Sequence, residues 1–422
     1  MAQKLKFGNG TWANKEGSTL AYNDENNNYK PLPFSFTRNS IATRVNKEGL
    51  IEVVGNDKPR IDYTDSADGV LLLEPSRTNV AFPSENFSVF GSGSSTIVTN
   101  QSISPDGTMS ADKIYPNSNG SYIGKYLNIG ASTTGVVSCF VKQSNKRYAI
   151  LGTDNNATYS CIFDLQTGTV SSQATNYTAK IENYGNGWYR ISAAYTSSAA
   201  AAYPFIGVAD ATDGSVTVDN TNGLFIWGFQ YELNSSYPTS YIPTSGSSVT
   251  RAAETANGAG NSEVFNDSEG VLMAEISALD NDGTDRFISL TDGSNDNRVL
   301  FGYRSISNQV FARIEGNNSA SVDLTTVLSD TKINAKITIS YDSSYNYKMF
   351  VNGFLVDSAV GSDNMVGLDR IDFTDASGGS DFYGKTKEIG YYDEILTDSE
   401  LEYLTSYRSL SELVKELNLN TL

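Results

Sequence analysis

Short strand-like runs separated by turn residues fill this chain, and helical periodicity is nearly absent until its end. That pattern excludes helical bundles and alternating α/β folds. Just after Gly135 comes Val136-Val137-Ser138-Cys139-Phe140-Val141-Lys142, and similar runs recur at residues 189–195 and 336–341. Each is rich in the β-branched and aromatic residues that fit a pleated, half-buried surface. Gly, Asn and Asp, which supply turn conformations, separate them. The expected fold class is all-β, with two antiparallel β-sandwich (jelly-roll) domains after an N-terminal hairpin-rich segment and short C-terminal helices.

The 422 residues have room for two or three domains. Residues 1–79 differ from the rest. They hold two copies of Asn-Lys-Glu-Gly, at Asn14–Gly17 and Asn46–Gly49, each a hairpin turn with Gly placed for positive φ. Pro31, Pro33 and Pro59 punctuate the segment. It reads as small hairpins or as an element that docks on a partner. A sandwich is expected over 80–251, closing on Leu224–Glu232 and Pro238–Thr244. The Ala-, Gly- and Asn-rich run Ala252–Asn261 reads as a linker. A second sandwich is expected over 262–396. Its Lys387–Glu394 stretch matches Ile226–Glu232 in character and place, so the two blocks read as diverged copies of one architecture.

Residues 397–422 read as helical. Thr397 with Glu400, and Ser409 with Glu412, have capping-box spacing. Leu410, Leu413, Val414 and Leu417 fall on one apolar face.

Charge and composition narrow the function. The net charge is −18, from 48 acidic and 30 basic residues, which disfavours nucleic acid and anionic lipid. There is no histidine, so a Ser-His-Asp or Cys-His site is excluded within this chain. Two cysteines cannot build the usual zinc sites. Cys139 and Cys161 sit in apolar runs and read as buried free thiols rather than a disulfide. The first ten residues lack an apolar signal-peptide core, so synthesis in a cytoplasm without export is expected. The most apolar stretch, Ala199–Ala209, is broken by Pro204 and Gly207 and is too short to span a bilayer, so no membrane insertion is expected.

Few residues suggest chemistry. Glu232, Glu275, Asp323 and Glu388 are candidates for a carboxylate-based glycosidase, but no spacing sets two of them across a cleft. No catalytic residue is assigned. Asp280, Asp282 and Asp285 surround a Gly283 turn and are weak calcium candidates, with Asp292, Asp296 and Asp375 next. A plain Asp-Gly turn is the simpler reading, and no cofactor is expected. Trp188 and Trp227 lie in strands and read as core rather than as sugar platforms. Trp12, in the N-terminal segment, reads as an interface residue. Arg60, Arg77 and Arg251 flank strand-like blocks and read as structural ion pairs or contact residues.

Several runs carry a family resemblance. Phe36-Thr37-Arg38-Asn39-Ser40-Ile41-Ala42-Thr43-Arg44, Pro59-Arg60-Ile61-Asp62-Tyr63 and Leu71-Leu72-Leu73-Glu74-Pro75-Ser76-Arg77-Thr78-Asn79 resemble a segment of tailed-phage virion proteins. The opening Lys6-Phe7-Gly8-Asn9-Gly10-Thr11-Trp12-Ala13 is similar to those of crAss-like gut phages. Block two, with Gly185–Arg190 and Trp227–Glu232, resembles a carbohydrate-binding-like sandwich; block three resembles a concanavalin A-like, laminin-G-type domain. The resemblance implies a virion appendage on tail or head, often oligomeric, with a trimer expected by analogy. Its implied partners are other virion proteins and host cell-surface glycans. It makes Trp12, Phe34, Phe36, Arg60 and Arg77 candidates for virion docking or a subunit interface, and it names no glycan-binding residue. The competing readings are an architectural spacer, a polysaccharide depolymerase, and a secreted bacterial adhesin.

Overall fold

The computed structural model describes residues 3–10, 12–15, 18–20, 32–93, 95–118, 122–128, 133–153, 160–196, 201–317 and 321–416. It is all-β apart from two short helices near the end and one 3-10 turn. The chain divides into two compact units. One comprises Met1–Asn39, Val54–Pro75 and Ala253–Leu422; the other comprises Ser40–Val53 and Ser76–Ala252.

In the first unit an eight-stranded antiparallel sheet runs in the order Phe354–Val360, Asn346–Val351, Ala335–Tyr341, Gly270–Ala278, Gly384–Tyr392, Val70–Leu73, Arg60–Asp62, with Leu5–Gly8 also on Gly384–Tyr392. A five-stranded sheet runs Val322–Val327, Gln309–Glu315, Arg298–Tyr303, Arg286–Thr291, Arg370–Asp372. Alternate residues of both sheets, such as Leu272, Ala274 and Ile276 on one and Val310, Ala312 and Ile314 on the other, share one core. The opposite parity of Gly270–Ala278 is buried too, because Val271 packs with Phe350, Tyr392, Leu401 and Leu404. That explains a strand with no polar alternation.

Helix Asp398–Thr405 opens on the expected capping box between Thr397 and Glu400, and Leu401 and Leu404 are its buried residues. The second helix, Leu410–Glu416, departs from expectation. Ser409 Oγ accepts from Glu412 N at 3.0 Å, but the Glu412 carboxylate turns to Lys336 and Arg408 N instead of closing the box. Leu410 is exposed rather than buried, and Leu417 lies outside the described residues.

The second unit is also a sandwich. Its six-stranded sheet runs Gly91–Gly93, Tyr122–Gly124, Phe205–Ala209, Tyr148–Gly152, Ser160–Asp164, Thr169–Gln173. The facing sheet runs Ser95–Ser102, Ala111–Pro116, Leu224–Leu233, Thr134–Gln143, Trp188–Thr196, Tyr177–Asn183, with Arg77–Asn79 and Val249–Arg251 attached. Cys139 and Cys161 lie in the core between the sheets, both free and buried. Burial pushes both thiols up, Cys161 to about 12. Iodoacetamide at about pH 8 is expected to leave both unmodified in the folded chain and to label both in urea, because the thiolate is the reactive form. Rapid labelling of either thiol without denaturant contradicts this packing.

The N-terminal segment is not a separate element. The hairpin of Ala42–Val45 and Ile51–Val54 forms on the second Asn-Lys-Glu-Gly copy, with Gly49 at φ +78°. Ala13–Lys15 pairs with Ser18–Leu20 around the first copy, whose Glu16 and Gly17 lie outside the described residues. Elsewhere Leu5, Phe7, Phe34, Phe36, Ile61, Leu71 and Leu73 join the core of the first unit. They are too apolar to remain outside it. The expected linker is ordered as well, with Thr255–Asn257 paired on Phe34–Thr37 and Glu254 buried.

Candidate functional site

The six-stranded sheet of the second unit has an inner face on the core and an outer face that gathers Tyr122, Tyr148 and Phe205. Ile123, Ala149, Leu151, Ile206 and Val208 point into the core. On the other parity, Tyr122, Tyr148, Ile150, Ile162, Phe205 and Ala209 form a separate cluster with Tyr203. Register fixes their layout. Tyr122 and Ile150 both face Gly207, and Ile150 also faces Ile162, in one row. Phe205 lies between Gly124 and Gly152 in the next. Tyr148 lies between Ala209 and Asp164 in the third.

Glycine makes this arrangement fit. A Cβ on Gly124 would come within 2.5 Å of the Tyr203 ring, and one on Gly152 within 2.9 Å of the Phe205 ring. The rings therefore lie down on the sheet where glycines leave room. Tyr122 meets Tyr203 edge-on with centroids 6.2 Å apart, and Phe205 at 5.5 Å. Phe205, Ile150 and Ile162 are covered, while Tyr122, Tyr148 and Tyr203 remain partly exposed. The result is a preorganised aromatic face with phenol groups at its surface. Such rings offer contact area at low entropy cost, and their hydroxyls can hydrogen-bond. Burial, reinforced by Tyr122, pushes the Tyr203 phenol up, so it stays protonated and able to donate. Its hydroxyl reaches the Gly91 carbonyl only at 3.4 Å.

One end of the face carries a charge pair. Arg147 lies over the Tyr148 ring, 5.1 Å from its centroid, and grips Asp164 with Nε at 2.8 Å and Nη2 at 2.5 Å. The guanidinium holds the Asp164 carboxyl well below the usual carboxylate range. The two-pronged grip fixes the arginine's plane over the ring.

The residues singled out in the sequence lie elsewhere. Phe34 and Phe36 are core residues of the first unit, and Arg60 is fully buried. None of these three presents a docking surface, which corrects their reading as interface residues. Their apolar or paired side chains are consumed inside the fold. Trp12 is half-buried, with its ring lying on Gly8. Arg77 is half-buried over the Tyr237 ring. Trp188 and Trp227 are buried as core, their indole N–H groups donating to Ile103 O and Ser110 Oγ at 3.1 Å each.

The carboxylate candidates are each engaged. Glu275 and Glu388 sit directly opposite on neighbouring strands, a juxtaposition the sequence did not reveal. Opposite residues hold their Cβ atoms about 5 Å apart, within reach of the ~5–5.5 Å carboxylate spacing of a retaining glycosidase. However, Glu275 pairs with Lys387 at 3.0 Å and Glu388 with Lys6 at 3.4 Å, and the two side chains are only 4% and 11% exposed. Glu232 is fully buried and accepts from Thr239 N and Oγ1. Asp323 takes a two-pronged bond from Arg313.

At the calcium candidates, Asp282 accepts from Thr284 and from Arg286 at 2.6 Å. Asp285 accepts from Ser305 N, and the Asp280 backbone carbonyl from Arg286. Among the described residues no group of three or more His, Cys, Asp or Glu comes together to hold a metal. No described helix is long and apolar enough to cross a membrane.

No protein-family model matches the chain, and no curated protein matches it. Solved structures do. One is a Ruminococcus gnavus IT-sialidase CBM40 bound to α2,3-sialyllactose, at 15% identity, covering 34% of this chain and 86% of that one, with a TM-score of 0.30. A leech intramolecular trans-sialidase complex matches at 15% identity over 35% of this chain and 24% of its own, with a TM-score of 0.29. The binding domain of botulinum neurotoxin serotype G matches at 18% identity over 36% of this chain and 40% of its own, with a TM-score of 0.27.

Proposed function

We propose that this chain is a surface component of a tailed-phage particle and contacts host-surface glycans through the aromatic face of its second unit. The observation that carries the glycan reading is the outward aromatic cluster of Tyr122, Tyr148, Tyr203 and Phe205, with the Tyr203 and Phe205 rings seated over glycines. A pyranose presents an apolar face of C–H groups that packs on an aromatic ring, and its hydroxyls meet the phenols and the nearby Arg147–Asp164 pair. The virion reading rests on the resemblance of residues 36–79. A single shallow face binds weakly, and many copies on one particle convert weak contacts into avidity.

The architectural spacer is the second reading. The N-terminal residues woven into the sheet and core of the first unit favour it, because they are spent on the unit's own packing. The depolymerase reading has less support, since Glu275 and Glu388 are each neutralised by a lysine.

Two measurements separate these. Cryo-EM of purified particles is expected to place this chain on a tail or capsid surface, with the Tyr122–Tyr148–Tyr203 face turned outward. Purified chain added in excess is expected to compete with particles for adsorption to host cells. A chain found in the particle with that face buried, together with unaffected adsorption, leaves the spacer.

A further inference from the structure

The aromatic face has an unusual charge inventory. Its six strands read Gly-Ser-Gly, Tyr-Ile-Gly, Phe-Ile-Gly-Val-Ala, Tyr-Ala-Ile-Leu-Gly, Ser-Cys-Ile-Phe-Asp and Thr-Val-Ser-Ser-Gln. They contain no lysine or arginine, and their one ionisable carboxyl is Asp164. Among the described residues, the cations flanking these strands, Arg147, Lys146 and Lys125, are each engaged. Arg147 has its fork closed on Asp164. Lys146 lies between two carboxylates, Asp210 at 2.8 Å and Asp219 at 3.5 Å, and also donates to Thr217 O. Lys125, which follows Gly124, turns its ammonium onto the Phe82 carbonyl and over the Phe82 ring at 4.6 Å.

At the Tyr148 end, two cations therefore stand against three carboxylates, Asp164, Asp210 and Asp219. A sugar carboxylate arriving there meets a net negative surface and an arginine whose charge Asp164 already balances, with the Nε–Nη2 edge taken and the Nη1 edge left open. It would lose its hydration for a bond to a guanidinium already paired with one carboxylate, beside the uncompensated charge of another. The same geometry suits a neutral ring, which needs only an aromatic face and hydroxyl partners.

We infer that the ligand class is neutral pyranose glycan, and that the face discriminates against sialylated and uronic-acid sugars. This rests on the reading of the face as a glycan contact and adds its selectivity. Asp164 acts as a specificity determinant, because it takes the Nε–Nη2 edge of the arginine and balances the charge an acidic sugar would need.

The test uses the full chain on an array of matched oligosaccharides, each neutral glycan printed beside its sialylated or uronic-acid counterpart. At least one neutral member is expected to bind, with its acidic counterpart weaker by tenfold or more. Raising the salt from about 0.05 M to about 0.5 M is expected to narrow that gap by screening, while neutral binding holds. The substitution Asp164→Asn keeps the Oδ1 that accepts from Gln166 N and Arg147 Nε, and it removes the carboxylate charge and the acceptor for Arg147 Nη2. It is expected to raise acidic binding and bring the ratio toward one. Equal or stronger binding of acidic members by the unaltered chain overturns the selectivity and leaves the glycan contact standing. Absence of binding to every member overturns the glycan contact itself, and the selectivity with it.

Discussion

Glu254→Gln is expected to destabilise the first unit by about 3–5 kcal/mol, the usual cost of breaking a buried ion pair by removing one partner. Glu254 sits at the centre of a dry charge cluster. Its Oε1 accepts from Arg38 Nη1 at 2.7 Å and from Arg60 Nε at 2.8 Å, and its Oε2 accepts from Glu74 N at 2.9 Å and from Arg60 Nη2. Arg60 also reaches Glu74 at 2.8 Å. The side chains of Arg38, Arg60 and Glu254 have no exposed surface, and that of Glu74 has 4%. Burial opposes the Arg60 charge, but the Glu254 and Glu74 carboxylates more than offset it and hold its pKa above the ordinary arginine value.

Glutamine keeps the shape but cancels the charge, leaving Arg60 with Glu74 and Arg38 with the Val54, Gly55 and Lys58 carbonyls. The cluster also fastens sequence-distant chain segments, because Arg38, Arg60, Glu74 and Glu254 come from four separate stretches. Urea unfolding monitored by far-UV circular dichroism measures the loss. A change below about 1 kcal/mol would show that the cluster is better solvated than its burial implies.

Trp227→Ala is expected to cost the second unit about 3–5 kcal/mol, the range for truncating a large buried aromatic. Trp227 is 2% exposed and packs on Tyr241 at 4.7 Å and Phe140 at 5.5 Å. Val45, Ile51, Ala111 and Trp188 complete this cluster. Truncation removes the ring's packing and leaves Ser110 Oγ without its indole donor. Trp227→Phe is expected to recover more than half of the loss, because it refills most of the volume. If alanine is tolerated within about 1 kcal/mol, the cluster is not a core.

These two sites mark what the sequence could and could not convey. The strand runs around Val136–Lys142 and Lys336–Tyr341 are legible because β-branched and aromatic residues repeat between turn residues. Trp188 and Trp227 are legible as core because each lies inside such a run. The Thr397–Glu400 cap is legible because its spacing is local. The ion cluster is not, since Arg38 and Glu254 meet across 216 positions. Glu254 lies in a run whose Ala, Gly and Asn content imitates a linker. Phe34 and Phe36 enter the core for a related reason: proximity to a docking-like segment says nothing about which sheet a residue will enter, whereas Arg60 is the structural ion pair that its place beside a strand suggests.

The tyrosine face was hidden by its own composition. In Tyr148-Ala149-Ile150-Leu151-Gly152 both parities are apolar, so periodicity does not show which side faces solvent. A weaker signal was present. Gly124, Gly152 and Gly207 all fall on the parity of Tyr122, Ile150 and Phe205, whereas the other parity is aliphatic without glycine.

The most direct test of the central claim is calorimetric titration of the full chain with a neutral oligosaccharide selected by array, set against the double variant Tyr148→Ala/Tyr203→Ala. Truncating a contact aromatic commonly costs about 1–2 kcal/mol, so the pair should weaken binding by about thirtyfold to several hundredfold. The predicted result is that loss of affinity with the urea midpoint of the second unit nearly unchanged, because both rings are partly exposed. Undiminished affinity in the variant would contradict the assignment of this face.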